Sequence, residues 1–275
     1  MTGRPDAAPR RRLDLELVHR GLAPSREVAR ETIAAGLVTV SGAPADKPAR
    51  LVDAAEPIVV EPARRWASRA GTKLDAALDR WGVAVDGRRC LDAGASTGGF
   101  TDVLLERGAR EVVAVDVGRG QLVDRLRRDP RVTVRDGTNV RHLVAEDVGG
   151  AFDIVVADLA FISLRTVAPV LAGDLAAPGA DLVWLVKPQF EVGRELASRG
   201  RGVVRDPAAW RESVEGVGHA LRVAGAAIMG AMSSPVRGAD GNVEFLIWAR
   251  AHADGGAEPG PAADEALAAA QDLAP

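Results

Sequence analysis

Two hydrophobic patterns divide this chain. From Arg10 to about Pro62 apolar positions are sparse: Leu13, Leu17 and Val18 fall at helical spacing, and Val28, Ile33 and Ala34 mark a second helix. Ser25 stands where an N-cap is expected and Gly36 where a helix stops. A β-branched run, Leu37-Val38-Thr39-Val40, a Ser41-Gly42 turn and a strand at Pro57 to Val60 complete a small α+β module of two helices against a short sheet. From about Ser68 to Arg250 short apolar runs alternate with helical patterns, which predicts an α/β domain with a mostly parallel sheet covered on both faces. Its strands fall at Arg89 to Ala93, Glu111 to Val115, Val132 to Arg135, Phe152 to Ala157, Asp181 to Val186, Ala226 to Ala231 and Val243 to Ala249. The resulting division is a flexible lead (1–9), the small module (10–63), a linker (64–67), the large domain (68–251) and an acidic, disordered tail (252–275) with at most a short helix from Asp264 to Leu273.

Composition narrows the class. A chain of 275 residues, 47% hydrophobic and 27% charged, is globular rather than disordered or coiled-coil. Asp153 and Asp158 interrupt the richest apolar stretch, short of the roughly 18 to 20 residues that span a bilayer, and the N-terminus shows no apolar leader. The expectation is a cytoplasmic protein with no membrane partner. Cys90 is the single cysteine and the four histidines are scattered, so neither an internal disulfide nor a metal site is expected.

A net charge of −3 and a pI near 5.9 argue at first against a nucleic-acid partner. Resolved along the chain, the picture changes. Residues 251–275 hold no Lys or Arg but five acids, Asp254, Glu258, Asp264, Glu265 and Asp272, which leaves residues 1–250 at +2. Only three of the 35 basic residues are lysines: Lys47, Lys73 and Lys187.

Open sheets of this kind bind ligands at the carboxyl ends of their strands. After the first strand comes Asp92-Ala93-Gly94-Ala95-Ser96-Thr97-Gly98-Gly99-Phe100. Ser96 occupies the place of a glycine in the dinucleotide fingerprint, and no Gly-Lys-Ser/Thr follows for a P-loop. A glycine-rich turn with Asp92 beside it suits a cationic cofactor without phosphates, such as S-adenosylmethionine. Asp116 ends the second strand, where an acid accepts hydrogen bonds from a ribose diol; this serves a nicotinamide cofactor equally well. Asp136 ends the third strand, either meeting an adenine amino group or simply forming an Asp-Gly turn.

The fourth strand ends in Asp158-Leu159-Ala160-Phe161, without the Pro-Pro-aromatic sequence common in enzymes that methylate base amino groups. Cys90 lies inside a strand, away from where a nucleophile for pyrimidine carbon five is expected. Elimination favours a hydroxyl acceptor, which needs help in losing its proton. Lys187 ends the fifth strand, and a chain so rich in arginine retains lysine in its second block only there and at Lys73. Lysine can be deprotonated when its surroundings lower its pKa, whereas arginine in practice cannot. Glu244 falls on the last strand, either exposed on an edge or pointed into the site. With no tyrosine in the chain, base stacking would fall to Phe or Trp; Phe161 and Phe190 are placed for it, although core packing is the commoner role.

Five words carry a resemblance: Arg12-Leu13-Asp14; Ser68-Arg69-Ala70 through Lys73-Leu74; Leu91 through Thr101; Val186-Lys187-Pro188-Gln189-Phe190-Glu191; and Gly241-Asn242-Val243-Glu244-Phe245. Over about residues 10 to 250 the chain resembles the TlyA family of ribosomal RNA ribose methyltransferases, also labelled hemolysin-like, whose catalytic domain is similar to the FtsJ type. The resemblance implies a Rossmann-like class I S-adenosylmethionine-dependent methyltransferase domain, preceded by an RNA-binding module of the ribosomal protein S-four type. It implies a tetrad of Lys73, Asp158, Lys187 and Glu244, in which Lys187 helps remove the proton of a cytidine 2′-hydroxyl and the others position the ribose and tune Lys187. The implied partner is ribosomal RNA within the small subunit, with the large subunit as a second candidate.

The expected cofactor contacts are Asp92, Gly94, Ser96, Gly98, Gly99, Phe100, Asp116 and Asp136. Arg12, Arg20, Arg26, Arg30, Lys47, Arg64, Arg65 and Arg69 together suggest a phosphate-tracking surface, diluted by Glu16, Glu27 and Glu31. The rival readings are a membrane-active protein, a nonenzymatic RNA-binding factor and, weakest because of Ser96, a nicotinamide-dependent oxidoreductase. Oligomeric state is left open.

Overall fold

A computed structural model of the chain describes residues 10–34, 36–60, 66–192, 202–238 and 240–270. The chain divides into two compact units, residues 1–65 and 66–275.

The first unit runs β1 (Arg11–Arg12), α1 (Leu13–His19), α2 (Arg26–Ala34), β2 (Val38–Val40), β3 (Ala43–Pro44), β4 (Leu51–Val52) and β5 (Ile58–Val60). β1 pairs with β4, and β3-β2-β5 form a second small antiparallel sheet. Ser25 caps α2, its Oγ accepting the Val28 N–H at 3.2 Å, and Gly36, at φ +70°, takes the left-handed position that ends the helix. Leu13, Leu17, Ala29, Ile33, Val38, Val40 and Val52 are fully buried between helices and strands.

Asp14 is buried with this core, where two arginines compensate it. Arg12 bonds it at 3.0 and 3.1 Å and Arg26 at 3.0 Å. The Arg12 guanidinium, assisted by Arg26, holds the Asp14 carboxyl down at about 2. A carboxylate depressed in the folded state contributes stability above the ordinary value near 4, and that contribution is lost as pH falls through 4 towards 2. Asp14→Asn is therefore expected to flatten the acid limb of this unit's stability, read in the full chain from the Ile33 methyl resonance on unfolding. An unchanged acid limb would contradict the assignment.

The second unit runs α3 (Arg69–Trp81), β6 (Arg89–Ala93), α4 (Gly99–Glu106), β7 (Glu111–Asp116), α5 (Asp124–Arg127), β8 (Val132–Asp136), β9 (Phe152–Ala157), α6 (Leu164–Ala168), β10 (Ala176–Val186), α7 (Pro188–Glu191), α8 (Pro207–Val223), β11 (Ala227–Ser233), β12 (Phe245–Arg250) and α9 (Pro259–Ala270). The seven strands stand in the order β11-β12-β10-β9-β6-β7-β8. β10 through β8 are parallel, and β12 lies antiparallel between β10 and β11. Side chains alternate between two cores. Leu91, Val113, Val155 and Trp184 face one, with residues of α6, α8 and α9; Cys90, Val112, Ile154 and Val183 face the other, with residues of α3 and α4.

Two expectations need correction here. Residues 64 and 65 lie outside the described part, but Trp66 and Ala67 are docked on the second unit rather than serving as linker. Trp66 is 5% exposed, and the Ala67 N–H donates to Asp102 at 2.7 Å. The tail is no solvated appendage either: α9 buries Ala262, Ala263, Ala266 and Ala270 in the main core. Three of its acids meet arginines of the folded body, Glu265 with Arg80 at 2.8 Å, Asp264 with Arg211 and Glu258 with Arg222. An alanine stripe at helical spacing carries this packing, and the polar composition around it concealed the stripe. Residues 1–9 and 271–275 lie outside the described part.

Candidate active site

A cavity of about 810 Å³, ordinary for a small-molecule site, opens at the carboxyl ends of β6, β7, β9 and β10. Its walls include Gly94, Ser96, Gly99 and Phe100 from the first turn, Asp116, Thr138 to Arg141, Asp158 to Ile162, and Lys187. Gly94 has φ +90°, and a Cβ there would lie 2.5 Å from the Asp158 carbonyl oxygen, so only glycine lets the ends of β6 and β9 approach so closely. The Asp116 carboxylate accepts the Ser96 N–H at 2.9 Å and the Gly118 N–H at 2.7 Å. Each oxygen keeps acceptor capacity for a ribose hydroxyl.

Three expected cofactor contacts lie off the wall. Asp92 is fully buried beneath the turn and accepts the Thr101 hydroxyl at 2.6 Å; burial pushes its carboxyl up to about 7. It ties the end of β6 to the start of α4. Gly98 packs against Leu122 and Leu126. Asp136 is held by the Gly120 N–H and by Arg127, each at 3.0 Å, and Thr138 to Arg141 just beyond it form the wall instead. Sequence reasoning missed this segment, together with Ser68 and Gln121. Ser68 was detectable as a helix cap, since its Oγ accepts the Ala70 N–H at 3.2 Å. Gln121 reaches the site only by accepting the Ser96 hydroxyl at 3.1 Å, which no local pattern announces.

The four tetrad residues form two ion pairs. Lys187 Nζ lies 2.6 Å from Asp158 Oδ1, with side chains 14% and 16% exposed. Lys73 pairs with Glu244 in greater depth, at 8% and 3% exposure. Strand register gathers three of the four, and α3 supplies Lys73. Val186 faces Phe245 across the antiparallel β10–β12 pair, so Lys187 and Glu244 follow at adjoining strand ends. Trp184 is beside Ala157 across β10–β9, which brings in Asp158. Glu244 precedes β12 rather than lying on it, and β12 is an internal strand, so the edge alternative falls away.

Cys90 is buried inside β6, and burial pushes its thiol up to about 12, so a thiolate is not available at neutral pH. Phe161 overturns its core-packing expectation: it is 91% exposed on the cavity rim and sits at φ +64°, rare for a bulky residue. Its ring centroid is 5.3 Å from that of Phe190, whose ring lies 5.8 Å from Lys187 Nζ.

The basic residues separate by their partners. Arg20 is spent inside the first unit, bonding Glu16 and the carbonyls of Asp53, Ala54 and Glu56 at 2.8–3.0 Å. Arg12 and Arg26 are shared with Asp14. Arg30, Lys47 and Arg69 are exposed and make no ion pair among the described residues. Arg64 and Arg65 lie outside the described residues. Among the described residues no helix is long and apolar enough to cross a membrane, and no cluster of three or more His, Cys, Asp or Glu is arranged to hold a metal.

With this geometry in hand, comparison with known proteins defines the class. Residues 66–251 match the FtsJ-like methyltransferase profile and residues 11–58 the S4 domain. The second unit is thus a methyltransferase domain of the S-adenosylmethionine-dependent fold, and the first an S4 domain. The chain is 53% identical over 249 residues to the TlyA 16S/23S rRNA (cytidine-2′-O)-methyltransferase of Mycobacterium tuberculosis, covering 90% of this chain and 92% of that one. It is 38% identical to Hemolysin A of Brachyspira hyodysenteriae, covering 86% and 98%. The structure of a protein described as a "putative hemolysin" from Streptococcus thermophilus superposes with a TM-score of 0.74 at 36% identity, covering 97% of this chain and 98% of that one. The chain belongs to the TlyA family.

Proposed function

We propose that this protein methylates the 2′-hydroxyl of a cytidine in ribosomal RNA, using S-adenosylmethionine. The observation that carries the reading is the Lys187–Asp158 pair on the wall of the glycine-turn cavity, backed by the buried Lys73–Glu244 pair. The donor set fits the cofactor: the cradle at Gly94 would be filled by any Cβ, Asp116 retains acceptors for a ribose diol, and the turn shows no phosphate-binding pattern.

The cofactor, when bound, supplies an electrophilic methyl carbon whose bond to sulfur breaks as the new bond to oxygen forms, the electron pair remaining on sulfur. The chain has to bring the ribose oxygen to that carbon and take its proton. Lys187 passes one ammonium proton to the Asp158 carboxylate and takes the hydroxyl proton at Nζ in its place, so that the proton lost by the ribose comes to rest on the pair at Asp158 while the lysine N–H groups donate to the oxygen as negative charge develops there. Lys73 and Glu244 hold this arrangement from behind without net charge. Phe161 offers its exposed ring for stacking on the target base, which in folded RNA leaves its neighbours to reach such a site. Arg30, Lys47 and Arg69 supply cations for phosphates. The hemolysin reading rests on relatives' names, and no observation in the site favours it.

The test is transfer of labelled methyl groups to small and large ribosomal subunits that lack ribose methylation, followed by nucleoside mapping. Label should appear as 2′-O-methylcytidine. Label on a base, or none despite cofactor binding measured by titration calorimetry, would refute the reading.

A further inference from the structure

Glu191 is a buried carboxylate beside the cavity with no part in the chemistry above. It closes α7, and its side chain is 1% exposed. Its Oε2 accepts the Ser163 hydroxyl at 2.5 Å, its Oε1 accepts the Leu164 N–H at 2.7 Å, and Arg165 Nε stands 3.5 Å away. These partners open α6, directly after the loop that carries Asp158 and Phe161. The loops after β9 and β10 are thus joined by three successive contacts: Lys187 with Asp158, Phe190 with Phe161, and Glu191 with Ser163 and Leu164.

Phe161 needs such a restraint. A bulky residue in the left-handed region persists only where its surroundings over-determine it, and an exposed ring receives little restraint from packing. At one end of its loop the Asp158 N–H donates to the Ala93 carbonyl at 2.9 Å; at the other, Glu191 pins the Ser163 hydroxyl and the Leu164 backbone N–H, two and three residues beyond Phe161. A carboxylate suits the second anchor, because it accepts from a hydroxyl and an amide at once while facing an arginine. Glutamine keeps one acceptor and can turn its amide towards Ser163, but loses the attraction to Arg165.

We infer that Glu191 is a positioning residue, which acts through Phe161 by holding that ring in place for the target base. This rests on the ribose-methyltransferase reading of the site. Its consequence is energetic coupling between two residues: once Phe161 is removed, Glu191 has nothing left to position.

The test is a double-mutant cycle in steady-state methylation of ribosomal subunits at saturating cofactor, using the full chain, Phe161→Ala, Glu191→Ala, Glu191→Gln and the double variants. Phe161→Ala should raise KM for the RNA about tenfold, the scale of one lost base stack. Glu191→Ala should raise KM about fivefold with kcat and cofactor affinity within about twofold, Glu191→Gln should recover most of that loss, and the double variant should be no worse than Phe161→Ala. Losses that multiply in the double variant overturn the inference, as does an unchanged KM in Glu191→Ala. If Glu191→Ala fails to bind cofactor, Glu191 supports the cofactor site rather than the ring of Phe161, and the inference is overturned. A wild-type chain that transfers no methyl group to RNA overturns the functional reading and this inference with it, whereas multiplying losses in an active enzyme overturn the inference alone.

Discussion

Lys187→Ala is expected to lower kcat for methyl transfer by about 10²- to 10⁴-fold, the usual scale for removing an acid–base group, while cofactor affinity changes little. The lysine is part of the cavity wall but is held by Asp158 at 2.6 Å and follows β10, outside the glycine-rich turn. Its loss removes a donor to the reacting oxygen and leaves Asp158 without its counter-ion. Lys187→Arg separates charge from proton chemistry: arginine keeps the cation but does not give up a proton near neutral pH. If the amine matters as an amine, arginine restores little. Single-turnover rates on ribosomal subunits, with calorimetric cofactor titration, provide the measurement. A full rate in Lys187→Ala removes the proposed role, and full rescue by arginine reduces that role to a positive field.

Lys73→Met is expected to cost about 3 to 5 kcal/mol of stability, because it strands the Glu244 carboxylate in a site where it is 3% exposed. For a domain of this size that corresponds to a fall of roughly 6 to 20 °C in Tm. The packing around Glu244 offers no easy relief, since a Cβ on Gly238 would come within 2.5 Å of its Oε1. The double variant Lys73→Met/Glu244→Leu removes both charges and should regain most of the lost stability, as apolar replacements of buried pairs often do. It should nevertheless stay catalytically impaired, because the charges beside the Lys187–Asp158 end of the sheet are gone. Thermal unfolding and methylation assays on the same preparations separate the two effects. A single variant as stable as wild type would show that Glu244 is not dependent on Lys73, and an active double variant would remove the pair from the reaction.

The readable parts of this site were those in which chemistry is local. The turn from Asp92 to Phe100, the acid at the end of β7 and Lys187 all stand at strand ends, where a ligand in such a sheet must bind, whereas Lys73, singled out by the same scarcity of lysine, comes from α3. Asp92 and Gly98 show the limit of that rule. Their positions in the word are right, but the Asp92 side chain is buried beneath the turn and the Gly98 backbone packs against Leu126. Phe161 marks a second limit: an aromatic after a strand usually enters the core, and only its backbone geometry turns this one outward. Among the arginines, Arg20 and Arg30 look alike in sequence. One is consumed by three carbonyls and a carboxylate, and the other is exposed.

The charge arithmetic separates the two levels of information most clearly. Order along the chain determined that the last 25 residues carry five acids and no Lys or Arg, and periodicity determined a small α+β module before a mostly parallel α/β domain. Whether those acids were an appendage or part of the fold depended on distant partners, Arg80, Arg211 and Arg222, and on an alanine face that is buried only because α8 and β11 are there to receive it. The same holds for the tetrad. Its residue types were legible, but β10 lying between β9 and β12 sets Lys187 beside both carboxylates, and which lysine joins which carboxylate depends also on where α3 carries Lys73, because an ion pair depends on distance in space rather than along the chain.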